Sequence, residues 1–449
     1  MSADPIIIRN ARLVNEGEIF ESDVRLRAGR IEKIAAALAV EENEMVIEAG
    51  GRYLLPGFID DQVHFREPGL TAKGDLATES AAAVAGGITS FMDMPNVKPA
   101  TTTREALADK YTAAAGRARG NYAFYLGATN DNLEEIRRLE PAEACGVKVF
   151  MGASTGNMLV DDPQTLENIF ADARTLIATH CEDSTMIRAL EREYRERYGE
   201  DVPMQAHPQI RSAEACYSSS SLAVDLAKRH GSRLHVLHLT TARELELFEP
   251  GPVADKSISA EVCVHHLFFD ENSYEKLGTL IKCNPAIKTP EDREGLLRGL
   301  LEDRIDVIAT DHAPHTSDEK ARPYFEAPAG LPLVQHALLS LFEHYHDGRF
   351  PLEFIVRKTS HSVAEMFGIP DRGYIREGYW ADLVLVDFER ETPVTSDTVL
   401  AKCGWSPFEG MTFRSRIDTT IVNGEIVYSD GRLTGAIPGQ RLICHAGLR

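Results

Sequence analysis

Eight short apolar runs between Phe58 and His315 each end on, or in the case of the fourth contain, a polar residue suited to metal, proton or substrate chemistry. In order they cover residues 58–64, 88–96, 122–129, 147–150, 176–180, 234–238, 257–266 and 306–311. Most are rich in Val, Ile, Phe and Thr, are bounded by Gly, Pro or charge, and are separated by segments long enough for helices. Strand alternating with helix implies a parallel sheet, and eight repeats predict an α/β fold closed as a (β/α)8 TIM-like barrel. In such a barrel the active site lies at the C-terminal strand ends, where His64, Asn96, Lys148, His180, His238 and Asp311 fall.

Both termini read differently. Residues 5–14, 19–26, 30–34 and 45–47 before the runs, and 383–387 and 419–428 after them, are strand-like, with Asn423-Gly424 a tight-turn signal. The expected organisation is a small β-sandwich domain formed by residues 1–55 and 370–449, with the barrel inserted as 56–369. Residues 133–139, 186–198 and 293–301 are expected outer helices.

The chain has 449 residues, 43% hydrophobic and 26% charged, ample for a large core. Its net charge of -21 offers no broad basic surface for a phosphate backbone, so a nucleic-acid partner is not expected. A small anionic substrate remains compatible, because one or two local Arg or Lys side chains suffice to bind a carboxylate. Seven cysteines without a CxxC pair fit reduced thiols. The opening Met-Ser-Ala-Asp-Pro lacks a basic and apolar leader pattern, and no run reaches the roughly 18 apolar residues of a membrane span. A cytoplasmic protein with no membrane association is therefore expected.

Asp311 opens Asp-His-Ala-Pro-His after an apolar run. A carboxylate there can ligate a metal and take a proton from water that zinc has acidified to a pKa of roughly 7; capping of the following loop is the plainer alternative. His180 and His238 end successive runs, and imidazole is a common zinc ligand. His235, three residues before His238, is expected on the opposite strand face as a packing residue. Lys148 lies among apolar residues in Gly-Val-Lys-Val-Phe. A buried ammonium is costly unless paired; one solution is a neighbouring carboxylate, and another is carbamylation by CO2 to an anionic ligand able to bridge two metals. Arg66 can present a planar fork to a carboxylate, Asn96 and Asn284 supply amide contacts, and His315 adds a further donor. Together they describe a polar pocket for a planar amide or imide bearing an acid group.

These residues resemble the amidohydrolase superfamily and, within it, the dihydroorotases. The likeness runs from Pro-Gly-Phe-Ile-Asp at 56–60 through His64-Phe-Arg66-Glu-Pro-Gly, Met-Pro-Asn96, His180, His238 and Asn-Pro at 284–285. It continues to Asp311-His-Ala-Pro-His315, Ala-Pro-Ala-Gly at 327–330, Gly373-Tyr-Ile-Arg-Glu-Gly and Ala381-Asp-Leu-Val-Leu-Val. The resemblance implies reversible cyclisation of N-carbamoyl-L-aspartate to L-dihydroorotate, in pyrimidine biosynthesis, with one or two Zn2+ ions that a carbamylated Lys148 could bridge. By position, His64, Lys148, His180, His238 and Asp311 correspond to metal ligands, with Asp311 also the general acid/base. Arg66, Asn96, Asn284 and His315 correspond to substrate contacts, and Ala329 and Gly330 to backbone ones. A homo-oligomer is expected, with aspartate transcarbamoylase as a candidate partner.

One position departs from the family. Its usual His-x-His reads Gln62-Val63-His64 here, and a neutral amide is a weaker zinc ligand. The expectation is a weakly held or missing metal on that side, and a mononuclear site centred on His180, His238 and Lys148. Gln62 also sustains an alternative, a catalytically silent subunit that scaffolds aspartate transcarbamoylase. A further alternative is an allantoinase or dihydropyrimidinase, whose substrates lack the ring carboxylate that Arg66 and Asn96 would clamp.

Overall fold

The computed structural model describes residues 5–153 and 158–445. The expected runs form strands Phe58–Val63, Ile88–Asp93, Asn121–Phe124 with its continuation Leu126–Gly127, Val147–Phe150, Ile177–His180, Leu234–Val236, Ile258–Cys263 and Val307–Ala309. All pair in parallel, the first three in one sheet and Leu126–Gly127 onward in another. At Tyr125 the third strand passes from the second strand to the fourth: the Tyr125 N–H bonds Asp93 and the Leu126 N–H bonds Gly146. A parallel bridge between Val63 and His312 joins the first strand to the chain just beyond the eighth.

The strands are buried on both faces, as a parallel sheet covered by helices requires. Phe58, Phe91, Phe124, Val147, Ile177, Leu234, Val262 and Ile308 belong to one apolar cluster, each worth about 1.5–3 kcal/mol of burial. The covering helices carry local stop and start signals. Ser184–Tyr198 begins where the Asp183 carboxylate accepts from the Thr185 and Met186 N–H groups, and Pro290–Leu301 begins with Thr289 as cap and proline in its first turn.

Several strands are shorter than expected. Leu234–Val236 stops before His238, and Val307–Ala309 stops before Asp311. His238 and Asp311 have φ of 40° and 50°, outside the strand region, and so break the ladder, whereas Lys148 and His180 stay within it. The seventh strand ends at Cys263, placing His265 and His266 on the short helix Val264–Phe268.

The terminal segments do pair with one another, Tyr53–Pro56 running antiparallel to Leu383–Asp387. The terminal strands are joined in one hydrogen-bonded network of nine strands. The reason lies in Ile6–Asn15, where a register shift between Ile8 and Ala11 lets one strand hold Met45–Glu48 along its first half and Tyr53–Pro56 along its second. Asn423 and Gly424, both at positive φ, make the tight turn between Arg416–Val422 and Glu425–Ser429. All seven cysteines are free thiols, and six are buried. Among the described residues no helix is long and apolar enough to cross a membrane.

Candidate active site

Gln62, His64, Arg66, Asn96, Lys148, His180, His238, Asn284, Asp311, Ala329 and Gly330 line one cleft beside the strand ends, with Phe150, Ala153 and Ala313. Every residue expected at the site is therefore on its wall except His315. That ring stands behind Arg66: Arg66 Nη2 lies 3.0 Å from its Nε2, Lys73 Nζ lies 3.0 Å from its Nδ1, and the Ala329 carbonyl lies 3.0 Å from Nε2. Burial first, then the Arg66 and Lys73 charges, drive the ring far below its ordinary pKa, so His315 is a neutral spacer between two cations.

The titratable groups divide into two pairs. In one, His180 Nδ1 and His238 Nε2 face each other at 2.9 Å. Burial and the neighbouring Lys148 charge lower both rings, so they are neutral imidazoles offering lone pairs to a common point. His180 Nε2 donates to Glu182 at 2.8 Å, the arrangement by which a carboxylate fixes the tautomer of a metal-binding imidazole. In the other pair, His64 Nε2 is 3.1 Å from Asp311 Oδ1, while its Nδ1 is held by Asn96 Oδ1 at 2.7 Å. Burial alone would raise the Asp311 carboxyl, but His64 holds it below the usual carboxylate range.

Lys148 extends from the fourth strand into the same cleft, with Nζ 4.6 Å from the Phe150 ring centroid. Burial lowers its ammonium to about 8, so it is mostly charged at neutral pH with about a tenth as free amine, the form that reacts with CO2. The His180, His238 and Lys148 set thus fits one divalent ion. The second position is incomplete: where a further imidazole would stand, Gln62 Nε2 donates to Asp311 Oδ1 at 3.1 Å. Two other buried groups have ligand atoms within 4.8 Å of one another, Cys263 with His265 and His266, and Asp61 with His235 and Glu261.

Arg66 is held at φ 68° and buried, its Nε donating to the Pro314 carbonyl at 3.1 Å. Nη1 has no partner among the described residues, and burial lowers the group only to about 10, so it is a cation at neutral pH. The buried Asn284 Oδ1 likewise lacks a partner. At Gly330 (φ 139°) a Cβ would sit 2.4 Å from the Ala313 carbonyl oxygen, so only glycine lets this loop close on the cleft.

Glu182, Arg211, Lys73 and Phe150 are not among the residues expected from sequence. For Phe150 and Glu182 the signal was spacing: each lies two residues beyond a site residue, hence on its side of the chain. Arg211 carries no such mark and is brought in by folding, its Nη1 lying 2.5 Å from Glu182 Oε2. Burial would raise Glu182, yet Arg211 and His180 hold it at about 2. Arg211→Met strands a buried carboxylate and is expected to cost about 3 kcal/mol in a denaturant titration. Because the folded-state pKa is depressed, that difference is fully present above about pH 5 and fades as pH falls towards 2.

His235, unlike His238, is off the cleft wall, fully buried and edge-to-face with Phe367 at 6.3 Å, as expected of a packing residue; its Nε2 also lies 3.2 Å from Asp61 Oδ2 and 3.5 Å from Glu261 Oε2.

Comparison with known proteins agrees with this arrangement. A dihydroorotase from Methanosarcina acetivorans is 31% identical over 447 residues, covering 97% of this chain and 94% of that protein. An allantoinase from Bacillus velezensis is 33% identical, covering 95% and 94%. The solved L-hydantoinase (dihydropyrimidinase) from Arthrobacter aurescens superposes with a TM-score of 0.91 at 28% identity, over 99% of this chain and 100% of that one. The sequence profile of the amidohydrolase family matches residues 53–427, and the chain belongs to that family.

Proposed function

We propose that the chain is a zinc-dependent dihydroorotase, interconverting L-dihydroorotate and N-carbamoyl-L-aspartate. The observation that carries this reading is Arg66, a buried guanidinium on the cleft wall with Nη1 unclaimed, in a protein of net charge -21. A desolvated cation beside a partnerless Asn284 amide oxygen suits a substrate with both a carboxylate and ring N–H groups. An uncharged cyclic amide would leave the cleft-facing Nη1 without an anionic acceptor.

In the hydrolytic direction, Arg66 and Asn284 hold the substrate's acid end, and the backbone of Ala329 and Gly330 limits its rotation. Asn96 keeps His64 turned to Asp311. Asp311, ionised at neutral pH, takes the proton of the attacking water and returns it to the ring nitrogen as the amide bond breaks. Bound zinc, held by His180, His238 and Lys148 with His64 and Asp311 adjoining, would supply Lewis acidity to the ring carbonyl and the water. The same reading includes closure of the parallel strands as a (β/α)8 barrel over 56–369, supported by the Val63–His312 bridge, a small domain from 1–55 and 370–449, and a cytoplasmic location.

The test is turnover of L-dihydroorotate, allantoin, hydantoin and dihydrouracil by zinc-supplied protein. Dihydroorotate is expected to have the highest kcat/KM. Preference for allantoin would favour the allantoinase reading, which the 33% identity to the Bacillus velezensis enzyme supports. No turnover of any of the four would favour the scaffolding subunit. Gln62 makes a second expectation: Gln62→His completes the His-x-His pair and should raise zinc per chain in elemental analysis, whereas an unchanged content would mean that Gln62 is not what limits loading.

A further inference from the structure

Beneath the cleft lies a second set of groups that the proposed reaction does not use. Asp61, His235 and Glu261 are fully buried, and both Asp61 carboxylate oxygens, His235 Nε2 and Glu261 Oε2 make no hydrogen bond among the described residues. His235 and Glu261 are nevertheless tied at their far sides. The Ser259 hydroxyl gives its proton to the Leu234 carbonyl at 3.3 Å and so receives the His235 Nδ1–H at 2.9 Å, which leaves Nε2 as a lone pair. Glu261 Oε1 accepts from the His238 N–H at 3.1 Å and from Cys263 Sγ at 3.3 Å, which turns Oε2 towards Asp61 and His235.

A lone pair aimed at two carboxylates is repulsive unless a positive charge stands among them. A proton is one occupant: burial would lower the His235 ring, yet Asp61 and Glu261 hold it up to about 9. A proton held on Nε2, or on Glu261, whose carboxyl burial and the Asp61 charge raise to about 7, should however sit in a hydrogen bond, and neither the 3.2 Å contact to Asp61 nor the 3.5 Å contact to Glu261 has that geometry. Those separations match instead the edge of a tetrahedron around an ion about 2.0–2.1 Å from nitrogen and oxygen ligands, which is roughly 3.4 Å. A divalent ion would neutralise both carboxylates with the imidazole uncharged, and a ring whose other nitrogen donates to an oxygen is how metal-binding histidines are held.

We propose that Asp61, His235 and Glu261 form a second, structural site for a divalent transition-metal ion such as Zn2+, separate from the His180 and His238 pair. It is linked to the cleft along the backbone from Asp61 to Gln62 and from His235 to His238, and Glu261 also holds the His238 N–H. Ion binding there would stiffen the turn that presents His238.

The test uses the full chain with His180→Ala and His238→Ala, stripped with chelator, re-equilibrated with Zn2+ and desalted. One zinc per chain is expected to remain, and to be lost on adding Asp61→Asn or His235→Gln. In crystals of the unsubstituted protein grown with Zn2+, an anomalous peak is expected between Asp61, His235 and Glu261. Three outcomes would overturn the proposal: no zinc retained by the double variant, retention indifferent to Asp61→Asn and His235→Gln, or anomalous peaks only at the upper pair or at Cys263, His265 and His266. None of these readouts depends on turnover, so they stand apart from the test of the dihydroorotase reading.

Discussion

Asp311→Asn should lower kcat for L-dihydroorotate by about 10³-fold while leaving the fold intact, within the range expected for loss of a positioned general base. The amide keeps the size of the carboxylate and, with a flipped orientation, can still meet Gln62 and His64. What it loses is basicity. The wild-type carboxyl is held below the usual range by His64, so its basic form is complete at neutral pH and is lost only in acid. Steady-state kinetics with circular dichroism as the folding control is the measurement. A loss smaller than about tenfold would remove Asp311 from the proton-transfer role.

Arg66→Met is the second large expectation. A charge-assisted hydrogen bond is worth about 1.5–3 kcal/mol, so removing the guanidinium should reduce kcat/KM for dihydroorotate by roughly 10²-fold, mostly through KM. Hydantoin and dihydrouracil, which carry no ring carboxylate, should lose far less. The contrast between substrates separates loss of an anion contact from general damage, which matters because Arg66 also supports His315 and the Pro314 carbonyl. Equal losses on charged and uncharged substrates would argue against a carboxylate clamp. Arg66→Lys should recover only part of the affinity, since an ammonium cannot reproduce the planar fork.

Much of this site was legible before any coordinates, because its residues sit where a strand must end. His180, His238 and Asp311 each close an apolar run and Lys148 interrupts one, and short apolar runs between helix-length segments are a local signal. The limits of the strands were less legible. Positive φ at His238 and Asp311 shortens the sixth and eighth strands, a distortion imposed by the site and not by local propensity. The joining of the terminal strands was no more legible: along Ile6–Asn15, which carries a register shift between Ile8 and Ala11, the neighbour changes from Met45–Glu48 to Tyr53–Pro56.

The sequence by itself determined the alternation of strands and helices, the β-rich ends that pair, and the cleft residues, because burial patterns and turn chemistry act over a few neighbours. Only the tertiary structure decided which groups meet across long separations. Arg211 meets Glu182, His315 stands behind Arg66, and Asp61 meets His235 and Glu261. Those encounters depend on how separate strands and loops converge, and their electrostatics on the removal of water, neither of which is written in any local stretch of chain.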